Sequence, residues 1–290
     1  MLVVLALAAT AGGLAVAQER LGDPASPGSG GVGPALAADA LPAADVALPR
    51  SPGPLAQTLA ATTRRLRAAV RRWDTAARVP RDVTYLALHH QRIMRLMARR
   101  RALGDATLRR LPRNVLGEAR DSVLALRHLR AIPRNPRDLP RVRVASAAPA
   151  AELRRHYAKA QRRFGVHWSI LAAVNFVESA FGRVRSASEA GAQGPMQFLP
   201  STWRAYGMGG DIDDPHDAIL AAANLLSSSG APRDYDRALF AYNHSTSYVR
   251  AVRRLAHRMR TDERAYRALY AWQVYIRTAT GVKRRTGPGL

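Results

Sequence analysis

The chain contains no cysteine in its 290 residues, which excludes a disulfide framework, an iron–sulfur cluster and any thiolate metal site. Lysine is nearly missing too, with Lys159 and Lys283 as its only instances. Acids are scarce, 21 against 45 basic residues, and the formal net charge of +24 is therefore carried almost wholly by arginine. A charge of that size restricts the partners to polyanions: nucleic acid, an anionic membrane surface or an anionic cell-wall polymer. Apolar residues are not lacking. At 47% of the chain they suffice for a real core, so global disorder is excluded and one large or two small domains are expected.

Long apolar runs are absent with one exception. Met1 to Ala17 carries no charged side chain and ends in Ala15-Val16-Ala17 before Gln18, the small-x-small pattern of a secretory signal peptide. No basic segment precedes the run. A short membrane anchor is the alternative reading, but residues 1–17 include Gly12 and Gly13 and fall short of the roughly 20 residues a span needs. Export is the expectation, with an extracytoplasmic, envelope-associated location. Residues 18–54 are rich in Ala, Pro, Gly and Ser and read as a tether that buries too little to fold.

From Leu55 the pattern changes. Leu55, Leu59, Thr62, Leu66, Ala69 and Trp73 recur at helical spacing with arginines between them, which predicts an amphipathic helix. Two more helical stretches are predicted over 82–103 and 105–129, ending in the Pro-rich link IPRNPRDLPR. Residues 55–143 hold 22 arginines and six acids and so supply +16 of the total charge. A basic helical segment can be merely a solvated face, but this density favours weak attraction to an anionic surface. No reading helix for specific nucleic-acid recognition stands out. Residues 149–290 read as a second helical unit with clear punctuation: Pro149 opening a helix that Gly165 closes, a helix from about 166 to 181, Asp214-Pro215 opening another that ends at Gly230, and Thr261-Asp262-Glu263 beginning one more. No useful period-two run appears, so the expected fold class is all-α.

Within that unit Leu171, Val174, Glu178 and Phe181 fall at i, i+3, i+7 and i+10, a single helical stripe. Glu178 thus takes a core-facing register. Burying a charged carboxylate costs several kcal/mol unless it is paired or neutral. Such a site raises the carboxyl pKa and keeps a proton available, as a general acid requires. A structural glutamate satisfied by Arg183 or Arg185 is the competing reading of the register alone. The stretch Ser186 to Gly194 then forms a small-residue loop with two glycines, Met196-Gln197-Phe198 sets an amide beside apolar side chains, Pro200-Ser201-Thr202-Trp203 starts a helix, and Ala241-Tyr242-Asn243 ends one.

Taken together these residues resemble the catalytic domain of the soluble lytic transglycosylases. Glu178-Ser179-Ala180-Phe181, the run Ala190-Gly191-Ala192-Gln193-Gly194-Pro195-Met196-Gln197-Phe198-Leu199-Pro200-Ser201-Thr202-Trp203, and Ala241-Tyr242-Asn243 follow that family's order and spacing from about 151 to 260. The resemblance implies a lysozyme-like helical fold, no cofactor, and Glu178 as the sole catalytic acid/base on the β-1,4-linked N-acetylmuramic acid–N-acetylglucosamine strands of peptidoglycan, closing a 1,6-anhydro product. It implies further that Met196, Gln197, Tyr242 and Asn243 line the sugar sites, with Tyr242 also near the Glu178 carboxylate, and that Ser188 orients the acid. The chain departs from the family pattern in a loop one residue longer between Glu178 and Ala190, at Pro195, where a larger aliphatic residue is frequent, and at Asn243-His244-Ser245, which replace a glycine-containing turn.

Two rival functions stand beside this one. Glu189, a second acid in the loop, makes a hydrolytic muramidase the alternative enzyme, and a non-catalytic cationic wall-binding module is the alternative outside enzymology. Other candidate sites are weaker. Asp211-Ile212-Asp213-Asp214 lacks the later glycine and glutamate of a calcium loop and reads as helix capping. His89-His90 lack a spaced ligand partner, and no metal site is expected. Trp168, Trp203 and Trp272 read as core residues.

Overall fold

The computed structural model describes residues 40–133, 142–188, 190–278 and 281–290. The signal segment expected at 1–17 lies outside them. Among the described residues the fold is all-α, with eleven helices: α1 (Pro52–Arg72), α2 (Arg81–Arg99), α3 (Arg101–Leu108), α4 (Arg113–Ala131), α5 (Ala150–Phe164), α6 (Trp168–Ser179), α7 (Pro200–Tyr206), α8 (Pro215–Ser228), α9 (Tyr235–Tyr242), α10 (Thr246–Thr261) and α11 (Glu263–Tyr270). One small antiparallel hairpin comes after them, β1 (Tyr275–Thr278) and β2 (Gly281–Arg284), with Tyr275 opposite Arg284 and Ile276 opposite Lys283. The sequence offered no sign of it, because four-residue strands are too short for an alternation to register.

Local chemistry sets most helix ends. Pro149 precedes α5 and Gly165 stops it in the left-handed region at φ 73°, a conformation that costs glycine little. The Asp214 carboxylate accepts from the Asp217 amide at 3.0 Å at the head of α8, Asp234 accepts from Arg237 at 2.9 Å at the head of α9, and Asp262 accepts from Arg264 at 3.0 Å at the head of α11. Each satisfies one of the amides a helix start leaves open. In the basic region the two predicted stretches become three helices. Arg100 leaves helical geometry at φ −98°, ψ 86° and separates α2 from α3. Pro112, with no amide hydrogen to continue a helix, delays α4 until Arg113.

α6 is the centre of the fold. All of its residues but Trp168 are buried, as expected for a helix apolar all round, and it packs against α5, α8, α10 and α11. The arginine-rich helices share its core rather than standing apart from it: Leu66, Val70, Met94 and Leu126 belong to the same apolar cluster as Leu171, Val252, Leu255 and Tyr266. α4 lies along α10, and α1 against α11. A charged cluster sits in this seam. Glu118 of α4 meets Arg67 of α1 at 2.9 Å, Arg258 of α10 at 3.9 Å and His90 of α2 at 3.7 Å. The stretch expected to be a tether already touches the fold at its C-terminal end: Leu41 and Leu48 pack on the core, and Arg65 and Arg92 donate to the carbonyls of Ala40 and Asp45 at 2.8 and 3.1 Å.

Candidate active site

Glu178 is the penultimate residue of α6 and its exposure is 0%. Among the described residues it is the one fully buried acid. Beyond it the chain turns through three successive left-handed residues, Ala180 (φ 51°), Phe181 (φ 63°) and Gly182 (φ 80°). Two of these are not glycine, each a strain of about 1–2 kcal/mol. Hydrogen bonds over-determine the turn: the amides of Ala180, Phe181 and Val184 donate to the carbonyls of Phe176, Asn175 and Ser179, and the Gly182 amide donates to Ser179 Oγ at 2.7 Å. Residues 143–145, outside the motif, grip the chain just beyond this turn. Ala145 donates to the Arg183 carbonyl, Arg185 to the Arg143 carbonyl, and the Arg143 amide to Ser186 Oγ at 2.7 Å.

The turn that follows in the motif is fixed by two polar residues of α6 itself. Asn175 Nδ2 donates to the Pro195 carbonyl at 2.7 Å, and Ser179 Oγ donates to the same oxygen. The Asn175 side-chain oxygen in turn accepts from the Tyr157 hydroxyl at 2.6 Å. This clamp holds the Gly194–Gln197 turn, closed by the antiparallel bridge between Gln193 and Phe198. Gly194, at φ 72°, could carry no side chain, since a Cβ there would lie 1.9 Å from the Ile212 carbonyl oxygen.

The predicted site residues take definite places. Met196 is fully buried and its carbonyl accepts from the Tyr242 hydroxyl at 2.6 Å. Gln197 donates Nε2 to the Gly194 carbonyl at 3.0 Å, while its side-chain oxygen is buried without a hydrogen-bond partner. Ser188 Oγ accepts from the Ala192 amide at 3.0 Å, closing its own loop. Asn243 ends α9 and is 6% exposed. Glu189 lies outside the described residues. Phe198 sets its ring edge-on to Tyr242 and Trp203, centroids 5.9 and 5.4 Å away.

Tyr248, in the first turn of α10, was not singled out by the sequence. Its ring stacks on Tyr242, planes 3° apart. Burial first, then the charge of Glu178, lifts the Tyr242 hydroxyl well above the usual phenol range. The same causes act on Tyr248, together with Tyr242 and hydrogen bonding to Glu178. Both phenols therefore stay protonated; Tyr242 donates to the Met196 carbonyl, and the Tyr248 hydroxyl is buried near enough to Glu178 to feel its charge. One group of possible metal ligands lies elsewhere among the described residues. Asp214, His216 and Asp217 bring ligand atoms within 4.8 Å of one another. Asp214 is engaged as a helix cap, Asp217 accepts from the Asp211 amide at 3.0 Å, and the Lys159 ammonium sits 2.8 Å from His216 Nε2 where a cation would be repelled.

Residues 155–264 match the family model of the transglycosylase SLT domain, a span that contains α6, the clamped turn and both tyrosines. Those residues are similar to the transglycosylase SLT domain. Membrane-bound lytic murein transglycosylase F of Thiobacillus denitrificans is 27% identical over 168 residues, which cover 54% of this chain and 32% of that protein. The chain thus spans about a third of the length of that curated relative. No solved structure matches it. No helix among the described residues is long and apolar enough to cross a membrane.

Proposed function

We propose that the SLT domain makes this chain a peptidoglycan lytic transglycosylase, exported and held at the cell envelope, in which Glu178 serves alone as acid and base. The observation that carries this reading is the setting of Glu178: fully buried, at the end of a central apolar helix, facing two protonated tyrosines. Apolar burial and the negative end of the α6 dipole both favour the neutral carboxyl, the form that can give a proton to the oxygen bridging N-acetylmuramic acid and N-acetylglucosamine. The bond from C1 to that oxygen breaks and an oxocarbenium-like state forms. The Glu178 carboxylate, now steadied by the Tyr248 hydroxyl, takes the proton of the muramic C6 hydroxyl, whose oxygen closes on C1 as a 1,6-anhydro ring. No water is consumed, so the second carboxylate of a hydrolysing glycosidase is unnecessary. The free side-chain oxygen of Gln197 suits a sugar hydroxyl, and Met196, Tyr242 and Asn243 supply the surrounding wall. Ser188 stiffens the loop beside them. The arginine-rich helices draw the enzyme to an anionic wall polymer or membrane surface.

Mass spectrometry of digested glycan strands tests the chemistry. Anhydromuramic ends are expected. Reducing muramic ends would mean hydrolysis instead, and with it a role for Glu189.

A further inference from the structure

Two basic clefts lie outside the site. The larger, about 890 Å³ along α10, has counter-charges of its own: Arg253 pairs with Asp236 at 3.2 Å and Arg254 with Asp121 at 3.0 Å. The smaller, about 450 Å³, is lined by Arg50, Arg92, Arg95, Arg99 and Arg100, with no carboxylate among its described lining residues. Its floor is apolar, made by Leu48, Leu96, Leu103, Val282 and the ring of Tyr275. Three separate parts of the chain build it: the strap before α1, the C-terminal ends of α2 and α4 with α3, and the hairpin.

Guanidinium groups converging with no acid in the described lining repel one another, and the fold keeps them there. Arg95 lies over the Tyr275 ring at 4.0 Å. Its Nη1, and Nη1 of Arg92, are shielded from solvent and make no hydrogen bond. Buried donors without acceptors are costly, and a small turn of either side chain toward an oxyanion in the cleft would offset that cost. The Arg95 guanidinium is pushed down to about 10, by burial first and by Arg130 and Arg99 against the opposing influence of Tyr275. A bare anion would leave the apolar floor without use.

We infer that this cleft binds a phosphate group carried on an apolar stem, the chemistry of an anionic lipid headgroup. Guanidinium forks match phosphate oxygens, and the leucines, Val282 and Tyr275 accept the first carbons of the stem. The inference rests on reading the basic helices as a contact with an anionic surface, and it narrows that contact from a diffuse field to one place.

Co-sedimentation of the full chain with phosphatidylglycerol vesicles, with phosphatidylcholine vesicles as the neutral control, tests it. Arg99 and Arg100 are exposed, so Arg99→Glu/Arg100→Glu should fold, which circular dichroism checks. The control is Arg71→Glu/Arg81→Glu, equally exposed and of the same charge change; Arg81 lies at the far end of α2, about 27 Å from Arg99 at 1.5 Å per residue. The cleft variant should lose about 30-fold in affinity for anionic vesicles, two arginine contacts with such a surface, and the control only a few-fold. Soluble dihexanoyl phosphatidylglycerol should compete, and inorganic phosphate at the same concentration should not. Equal losses in the two variants would overturn the site while leaving a diffuse attraction standing. Equal competition by inorganic phosphate would overturn the apolar half of the assignment. No binding by the wild type would sink both the site and the surface reading. Glycan cleavage is not read at any step, so the enzymatic proposal stands or falls separately.

Discussion

Glu178 and Glu118 are both enclosed by helices, and their surroundings differ in every other respect. Glu118 lies in the seam between the basic helices and α10. Burial there would raise its pKa, but the nearby His90, 3.7 Å away, and the charges of Arg258 and Arg67 outweigh it and hold the carboxyl below the usual range. Glu178 lies at the end of α6 among tyrosine hydroxyls and apolar rings, in a chain where arginine is otherwise everywhere. The contrast teaches how one residue type can take two settings: Glu118 is ringed by cations and fastens a seam, whereas Glu178 ends an apolar helix beside two tyrosines. The largest expected effect separates the two. Glu178→Gln should lower glycan cleavage by ~10²–10⁴-fold while leaving the melting temperature within a few degrees of wild type. Unimpaired cleavage by this variant would refute the role given to Glu178.

Glu118→Gln is the reciprocal case. It keeps the shape but removes the nearest counter-charge of Arg67 and Arg258, and removing one member of a buried pair costs about 3 kcal/mol. The melting temperature should fall by roughly 10 °C, with cleavage by the protein that remains folded within a few-fold of wild type. A variant as stable as the parent would show the seam to be held by apolar packing alone.

Acid should expose the same seam. His90 is kept neutral, lowered by burial against the pull of Glu118, and His89 is lowered from 6.5 to about 4, by burial first and then by Arg92. Both bind a proton more readily unfolded than folded, so their stabilising effect is complete above about pH 6.5 and is lost as pH falls toward 4. Glu118, also depressed, adds its own loss below the unfolded carboxylate value of about 4.3. Thermal unfolding measured from pH 8 to pH 4 should show a decline that begins near pH 6.5 and steepens below 4.5. A flat profile would mean that these groups see similar surroundings folded and unfolded.

Much of this was legible in the chain, and the illegible parts have a common cause. Helix ends were readable because caps act over three or four residues: Pro149, Gly165, Asp214 and Asp262 all fall where they were expected. The anomaly of Glu178 was readable because its register conflicts with its charge. Asn175 carried the same signal, a polar side chain in an apolar helix, and so did Ser179 beside the acid, yet their role depends on the carbonyl of Pro195, which no spacing announces. Tyr248 was hidden in the same way, since its approach to Glu178 is made by two helices meeting. The shared core of the basic helices, the grip of residues 143–145 on 183–186, and the two-stranded hairpin likewise come from pairings that local spacing does not reveal. Local patterns carry local structure; contacts across the chain need the fold.

Tyr248→Phe probes the smaller difference, the help that Glu178 receives. Loss of one hydroxyl beside a carboxylate should lower cleavage by ~10-fold with little change in melting temperature, because the ring and its stack on Tyr242 remain. Tyr248 is a positioning residue, so its loss should also move the basic or acidic limb of the pH–rate profile. A rate loss with an unmoved profile would mean that the hydroxyl merely fills space.

The smallest effect is expected one turn earlier. Ser245 Oγ accepts from the Tyr248 amide at 3.3 Å and caps α10, and Ser245→Ala should cost about 1 kcal/mol, or roughly 3 °C. Asp262→Ala removes the cap of α11 and an ion pair to Arg264 at 2.7 Å. If capping matters only for stability, neither variant should lose cleavage while it stays folded. The placement of Tyr248 three residues from Ser245 argues otherwise: fraying the first turn of α10 loosens the donor aimed at Glu178, whereas α11 begins at the far end of α10 from the acid. Cleavage should therefore fall a few-fold for Ser245→Ala and hold for Asp262→Ala at a temperature where both are folded. Equal rates would show that the α10 start is held by its packing on α6, and that the cap is dispensable to the chemistry.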